Sequence, residues 1–185
     1  MSIYDERPWL ARYSSGQPSD IEVEFDHPLA MFAASLSKAP ERDLIRYFDS
    51  SLTIAEVDRL SDAVAVGLIA NGFKRGDRLA VYLQNVPQFV LVMLATWKAG
   101  GIMVSINPMN KAKELKVLLD DSEASALVCS PDLYEGVAAE VVPTTRVRQV
   151  LTTSELDFLT EPEHPAALPC VPPVIPAAPA GGPCR

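Results

Sequence analysis

The clearest structural signals of this sequence lie in residues 71–108, which read NGFKRGDRLAVYLQNVPQFVLVMLATWKAGGIMVSINP. Residues 78–83 and 102–106 are short and almost continuously apolar, which is typical of strands buried on both faces of a parallel sheet. Residues 87–99 between them are apolar over a helical length. They begin with a proline and end at Gly100 and Gly101, as a helix does. This run predicts a strand–helix–strand unit.

The amino-terminal side continues the alternation of strands and helices. Residues 44–48 predict a strand that ends at a turn over residues 49–51. Thr53 and Glu56 have the spacing of a capping box, in which the threonine hydroxyl accepts a hydrogen bond from an exposed helix amide. We therefore expect a helix from Ile54 to about Ala70, with one apolar stripe at helical spacing.

The carboxyl-terminal side supplies a further helix and strand. Asn85 is a candidate N-cap for the central helix. Residues 111–121 predict a helix, and residues 124–129 predict a third buried strand. Strands that alternate with helices of this length imply right-handed crossovers. We therefore predict an α/β fold, with a mostly parallel sheet and helices on both of its faces.

Composition divides the 185 residues into three parts. Residues 1–28 are polar and predict an irregular arm, whereas residues 29–160 carry the alternating pattern of one α/β domain. A domain of this size buries about 70% of the surface of its unfolded chain. Residues 161–185 contain eight of the sixteen prolines. Because proline removes backbone donors, we expect this tail to be disordered or extended.

Charge and cysteine content exclude several classes of protein. The net charge of −8 disfavours nucleic acid as a partner. Cys129, Cys170 and Cys184 contain no CxxC pair, so neither a disulfide framework nor a zinc site is indicated. We expect a reducing, cytoplasmic setting. The charged N-terminus does not resemble a signal peptide, and no apolar run approaches the ~20 residues of a membrane span.

Three turn motifs could bind a ligand, but each is better explained as a turn. The charged residues 74–77 lead into a strand. Gly100 and Gly101 lack the G-x-G-x-x-G spacing of a phosphate loop and precede a strand. Asn107 and Pro108 follow a strand end, where ligands of α/β proteins often bind, yet the proline favours a constrained turn.

Titratable and aromatic residues do not indicate a stronger site. Residues 120–123 contain three carboxylates that could hold a metal, but a solvated helix end is the favoured interpretation. His27 and His164 have no ligand-type residue at metal-binding spacing. An apolar row at four-residue spacing could line an acyl pocket, although such rows are more often core. It consists of Phe89, Met93 and Trp97. We assign no catalytic, cofactor-binding or metal-ligating residue.

Six sequence blocks, in order and spacing, resemble the N-terminal part of the adenylate-forming acyl-CoA synthetases, also called fatty-acid–CoA ligases. The blocks are LTIAEV at 52–57, GDRLA at 76–80, Asn85 with Phe89, KAG at 98–100, NP at 107–108 and EL at 114–115. The resemblance covers residues 5–160, and the opening residues 8–18 are similar to the long-chain subgroup. Ile54 and Val57 replace the usual Tyr and Leu, which keeps both positions apolar.

The resemblance implies a reaction for full-length relatives. They convert fatty acid, ATP and CoA into acyl-CoA, AMP and pyrophosphate, with Mg²⁺. The Ser/Thr/Gly-rich phosphate loop, the aromatic-Gly-x-Thr-Glu motif, the ribose-binding Asp and the late catalytic Lys of the family have no counterpart in residues 1–185. Because adenylation needs preorganised donors around the triphosphate, we expect a truncated N-terminal part that is inactive alone.

Other hypotheses stay open at this point. The chain could be a non-catalytic module whose incomplete sheet pairs with a separate ligase remainder or with a homologous chain, as a homo-oligomer. The proline-rich tail could result from a shifted reading frame. A stand-alone nucleotide-binding protein is the weakest alternative, because the sequence contains no glycine fingerprint.

Overall fold

The computed structural model of the protein describes residues 2–159 and the backbone of the short strand Val174–Pro176. The helices are α1 Ile3–Glu6, α2 Pro28–Lys38, α3 Ile54–Ala70, α4 Pro87–Lys98, α5 Ala112–Asp121, α6 Pro131–Leu133 and α7 Ala139–Val141. A π-helical turn at Tyr134–Ala138 joins α6 to α7, and 3-10 turns lie at Pro8–Arg12 and Val142–Thr144. The strands are β1 Asp43–Tyr47, β2 Ser50–Thr53, β3 Arg78–Tyr82, β4 Ile102–Ile106, β5 Ala126–Cys129, β6 Gln149–Thr152 and β7 Val174–Pro176.

A five-stranded sheet in the order β4-β3-β5-β6-β7 forms the centre of the fold. The first four strands are parallel, and β7 runs antiparallel to β6. The predicted, mostly parallel sheet is therefore confirmed. Apart from β7, the predicted disordered tail at 161–185 lies outside the described residues, as do His164, Cys170 and Cys184.

The central strand β3 is buried on both faces. Leu79 and Val81 pack into an apolar cluster with residues of α3 and α4. Ala80 and Tyr82, which point to the opposite face, pack with Leu115 of α5 and with residues of the helical segment 131–144. Alternating side chains of one strand thus contact two helical layers. This arrangement confirms the prediction that helices cover both faces.

Helix α3 begins and ends where its sequence signals predict. The Thr53 hydroxyl oxygen accepts from the Glu56 amide at 3.2 Å, and the Thr53 amide donates to the Glu56 carboxylate at 2.8 Å. This reciprocal pair satisfies two amides at the start of the helix. The chain leaves the helix through Gly72, whose φ of +91° suits a residue without Cβ.

Two local predictions are wrong. Residues 50 and 51 belong to strand β2, which pairs with β1 in a separate two-stranded antiparallel sheet, so the turn consists of Phe48 and Asp49 alone. The N-cap of α4 is Val86 instead of Asn85, and no side chain caps this helix. Pro87 at the first helical position has no N–H, so the start of the helix has one unpaired donor fewer, and its fixed φ already suits a helix.

Several bounds differ from the predictions, and some elements carried no clear sequence signal. Helix α5 begins one residue later, at Ala112, and strand β5 begins at Ala126 instead of residue 124. The unpredicted elements are α1, the 3-10 turn at Pro8–Arg12, α2, the helical segment 131–144, β6 and β7. None of the helices in the described part of the chain is both long enough and apolar enough to cross a membrane.

Lys98 at the end of α4 joins three helices. Its ammonium lies 2.6 Å from the Asp58 carboxylate and 2.7 Å from the Asp62 carboxylate, both on α3. It also donates to the Asp58 carbonyl oxygen at 3.0 Å and lies 5.7 Å from the centre of the Phe32 ring on α2. Since the Lys98 side chain is only 16% exposed, these contacts are partly shielded from water.

We predict that Lys98→Met lowers the free energy of unfolding by about 2 kcal/mol, because Asp58 loses its partner in a partly buried position. Urea denaturation followed by circular dichroism measures this change. The matched control is Lys116→Met, which removes an exposed i,i+4 pair with Asp120 and should cost about 0.5 kcal/mol or less. Equal losses in the two variants would contradict the proposed importance of the Lys98 contacts.

Candidate functional site

The four parallel strands end side by side and create a carboxyl edge, which we define as residues 83–85, 107–110, 130 and 153–157. Register places Tyr82 opposite Ile106 and Cys129, and Cys129 opposite Thr152. The chain passes from β3 to β4 on one side and returns to β5 on the other. Open α/β sheets bind ligands at such a reversal of strand order. The carboxyl edge is therefore the candidate site.

Amides and hydroxyls dominate this edge. Gln84 and Asn85 are exposed. The Asn107 side-chain oxygen accepts from the Met109 amide at 2.9 Å, so it belongs to the turn that the sequence predicts here. The Ser130 hydroxyl oxygen accepts from the Leu133 amide at 3.3 Å. These groups can orient a polar ligand through hydrogen bonds.

Tyr82 fixes the position of the turn after β4. Its ring is fully buried, and its hydroxyl donates to the Asn110 carbonyl oxygen. Burial raises the pKa of Tyr82, and the neighbouring Cys129 adds to the increase. The hydroxyl therefore stays protonated and remains a donor. This partly buried hydrogen bond holds residues 107–110 in position.

Gln88, in the first turn of α4, holds the loop after β6. Its side chain is buried, and its amide nitrogen donates to the Ser154 carbonyl oxygen at 2.5 Å. Its side-chain oxygen is buried without a partner among the described residues. The Ser50 hydroxyl donates to the Phe158 carbonyl oxygen of the same loop. The role of Gln88 was not predicted from the sequence, although a polar residue within an apolar helix is a signal for such a role.

The loop that follows β6 is also stabilised by hydrogen bonds between its own residues. The Asp157 carboxylate accepts from the Thr153 hydroxyl and from the Ser154 amide, both at 2.9 Å. The loop is therefore bound by itself, by α4 and by strand β2. This fixes the path of the chain at the carboxyl edge.

Most motifs singled out in the sequence lie at the opposite, amino edge of the sheet. The Asp77 carboxylate accepts from the Lys74 amide at 3.0 Å and pairs with Arg148 at 3.1 Å. The Gly76 amide donates to the Gly100 carbonyl oxygen at 2.9 Å. Residues 74–77 thus form a braced turn that joins the start of β3 to the end of α4.

Two of the three acidic residues at 120–123 pair with basic side chains. Asp120 lies 2.7 Å from Lys116, and Glu123 lies 2.5 Å from Arg146 and 4.0 Å from Arg78. Within residues 2–159, no group of three or more His, Cys, Asp or Glu residues is arranged to hold a metal ion.

The aromatic row of α4 and His27 have structural positions. Phe89 and Trp97 are half-buried and pack against two different apolar clusters, so the row does not line a single cavity wall. Met93 is also half-buried. His27 is exposed and caps α2, because its Nδ1 accepts from the Ala30 amide at 3.1 Å.

We predict that replacing Gly101 by alanine destabilises the fold, because the added Cβ would overlap with neighbouring atoms. A Cβ atom there would lie 2.5 Å from Phe73 Cε1 and 3.0 Å from the Asp77 carbonyl oxygen. We expect Gly101→Ala to lower the free energy of unfolding by about 2 kcal/mol, as overpacking does. Gly136→Ala is the control, because nothing lies within 4 Å of the position that its Cβ would occupy. Comparable urea midpoints for the two variants would refute this.

Cys129 is predicted to be unreactive in the folded protein. Burial raises the pKa of its thiol from 9.0 to about 12. In a Cys170→Ser/Cys184→Ser background, labelling by an aromatic disulfide at about pH 8 should be at least ~1000-fold slower than that of a free thiol. The urea-unfolded protein serves as the control. Labelling of the folded protein at the unfolded rate would contradict the prediction.

The same pKa shift has a consequence for stability. Because the folded thiol ionises at a higher pH than the unfolded one, the unfolded state gains charge first as the pH rises past 9.0. The contribution of Cys129 to stability is therefore complete below that pH and declines between it and about 12.

Comparison with known proteins identifies relatives of this chain. The family model for "AMP-binding enzyme" matches residues 32–180. A long-chain-fatty-acid–CoA ligase of Bacillus subtilis strain 168 is 32% identical over 164 residues, which is 88% of this chain and 29% of the relative. The corresponding ligase of Escherichia coli O6:H1 is 29% identical over 84% of this chain and 28% of its own length. The chain thus spans less than a third of these curated relatives.

Solved structures share the fold. A long-chain-fatty-acid–CoA ligase from Archaeoglobus fulgidus superimposes with a TM-score of 0.65 and 29% identity, covering 77% of this chain and 30% of that one. A benzoate–CoA ligase from Burkholderia xenovorans gives a TM-score of 0.63 at 17% identity, covering 69% and 26%. The second likeness concerns the fold alone.

Proposed function

The chain belongs to the AMP-binding enzyme family, and we propose that residues 1–185 form the N-terminal part of a long-chain fatty-acid–CoA ligase. The proposed reaction joins a fatty acid to CoA while ATP is split into AMP and pyrophosphate. The observation that carries the proposal is the 32% identity to the Bacillus subtilis ligase over 88% of this chain. We place the reaction in the cytoplasm, where ATP and CoA are both present.

The proposed task of these residues is to build and hold the carboxyl edge. The hydrogen bond from Tyr82 to Asn110 fixes one loop, and the hydrogen bond from Gln88 to Ser154 fixes another. A rigid scaffold positions a site more accurately than free loops do. The edge can thereby orient a polar substrate and direct the chain that follows β6 toward it.

Adenylation requires charged groups that this edge does not contain. Charge develops on the phosphates during the reaction, and cationic donors and a metal ion stabilise it. The polar groups of the described carboxyl edge are neutral amides and hydroxyls together with the Glu155 and Asp157 carboxylates. The residues present do not fit Mg²⁺, since residues 2–159 hold no suitable cluster of ligands. We therefore assign them no step through the metal and propose that residues 1–185 alone are inactive.

We predict that purified residues 1–185 form no palmitoyl-CoA from palmitate, ATP and CoA. A fusion in which residues 1–159 replace the equivalent residues of the Bacillus subtilis ligase should form it, because the fusion restores the remaining part of the fold. Chromatography of palmitoyl-CoA and release of AMP measure the reaction. The Bacillus subtilis remainder used in the fusion, expressed alone, is the control.

Two results would contradict the proposal. Turnover by residues 1–185 alone would mean that the phosphate-binding groups lie among residues interpreted above as structural. A fusion that is folded but inactive would argue against the ligase assignment itself.

A second candidate is a non-catalytic module that pairs with a separate ligase remainder or a homologous chain. It is favoured by the position of β4, which lies at the edge of the described sheet and has Ile102 52% exposed. Such an edge can accept another strand. Sedimentation of residues 1–185, with and without the ligase remainder, tests it. Monomeric sedimentation in both samples would exclude this candidate.

A further inference from the structure

The N-terminal arm contains a strand-like pattern that the described fold does not use. Residues 20–26 read DIEVEFD, in which apolar residues at 21, 23 and 25 alternate with acidic residues at 20, 22, 24 and 26. Strict alternation of this kind is typical of a strand with one face buried. Yet Ile21 is 91% exposed and Val23 is 83% exposed, and only Phe25 is half-buried.

The backbone of this segment is also without pairing. Residues 21–25 belong to neither a helix nor a strand, and they form no backbone hydrogen bond with any other residue of the described range 2–159. The start of the segment is anchored, because the Asp20 carboxylate binds the Arg7 guanidinium. The end is anchored where His27 caps α2. The segment is thus held at both ends with its amides and its apolar face available.

We propose that residues 21–25 dock as a β-strand on a sheet edge in the part of the ligase that this chain does not span. This inference rests on the proposed function. The relatives are more than three times as long as the matched region, so most of their polypeptide lies outside it. Strand addition satisfies the free amides and places Ile21 and Val23 against an apolar surface.

The acidic residues of this segment indicate which side chains the partner strand carries. The acidic face carries Glu22 and Glu24, with no Lys or Arg among residues 13–37. The docking strand therefore has Lys or Arg opposite these carboxylates and apolar residues on its other face, since opposite charges across a strand pair are stabilising.

The same charges exclude other occupants. A second copy of the arm, paired antiparallel about Val23, would place Glu22 opposite Glu24, and like charges directly opposite each other are destabilising. Nucleic acid and anionic lipid surfaces repel a segment with only acidic charges. A basic-faced strand edge is the occupant that fits both faces.

Hydrogen–deuterium exchange tests this docking in the fusion of residues 1–159 to the Bacillus subtilis remainder. The amides of residues 21–25 should exchange about 100-fold more slowly in the fusion than in residues 1–185 alone. The double variant Glu22→Lys/Glu24→Lys should lose most of this protection. The control Glu135→Lys/Glu140→Lys reverses two exposed charges elsewhere and should retain it.

The outcomes separate this inference from the proposed function. An active fusion whose residues 21–25 exchange as fast as in residues 1–185 overturns the docking and leaves the ligase assignment standing. Full protection in the Glu22→Lys/Glu24→Lys variant overturns the basic partner strand. A folded but inactive fusion overturns the proposed function, and with it the partner strand.

Discussion

The rest of the structure depends on the burial of β3 on both faces. Residues 79–82 have no exposed surface, so both faces of this strand must be covered by helices. A chain that covers both faces and keeps its strands parallel has to cross over after each strand. The crossovers through α4, α5 and the helical segment 131–144 cover opposite faces of the sheet and place four strand ends side by side. The carboxyl edge is therefore a consequence of the apolar pattern of one strand.

The two edges of the sheet have different roles because the turns at them differ chemically. At the amino edge, Asp77 binds the Lys74 amide and Arg148, and Gly101 allows the Phe73 ring and the Asp77 carbonyl to approach its backbone. The charged and glycine motifs at this edge therefore stabilise the turns and the packing of the fold. At the carboxyl edge, the buried side chains of Tyr82 and Gln88 bind the loops, while Gln84 and Asn85 are exposed. These two exposed side chains can form hydrogen bonds with a polar ligand.

Local chemistry made β3, α3 and β4 predictable, since apolar runs, the Thr53 capping box and Gly72 act within a few residues. The resemblance to acyl-CoA ligases rested on the same segments. Predictions failed where distant partners decide. Ser50 and Ser51 become a strand because β1 pairs with them, and Gln88 gains its role from Ser154, 66 residues away. No spacing rule reveals that Lys98 meets Asp58 and Asp62, because the contact joins separate helices.

Strand β6 is held by side-chain amides from neighbouring elements at both of its ends. At its start, the Gln149 amide nitrogen donates to the Asn71 carbonyl oxygen, which ends α3. Just beyond its end, Gln88 of α4 binds the Ser154 carbonyl oxygen. Both helices lie on one face of the sheet, so these two bonds fix β6 relative to the same layer that covers β3. The loop after β6 therefore leaves the sheet at a fixed place. This loop lies at the carboxyl edge beside the end of β5, two strands from β3, where the strand order reverses and where an α/β sheet binds its ligand.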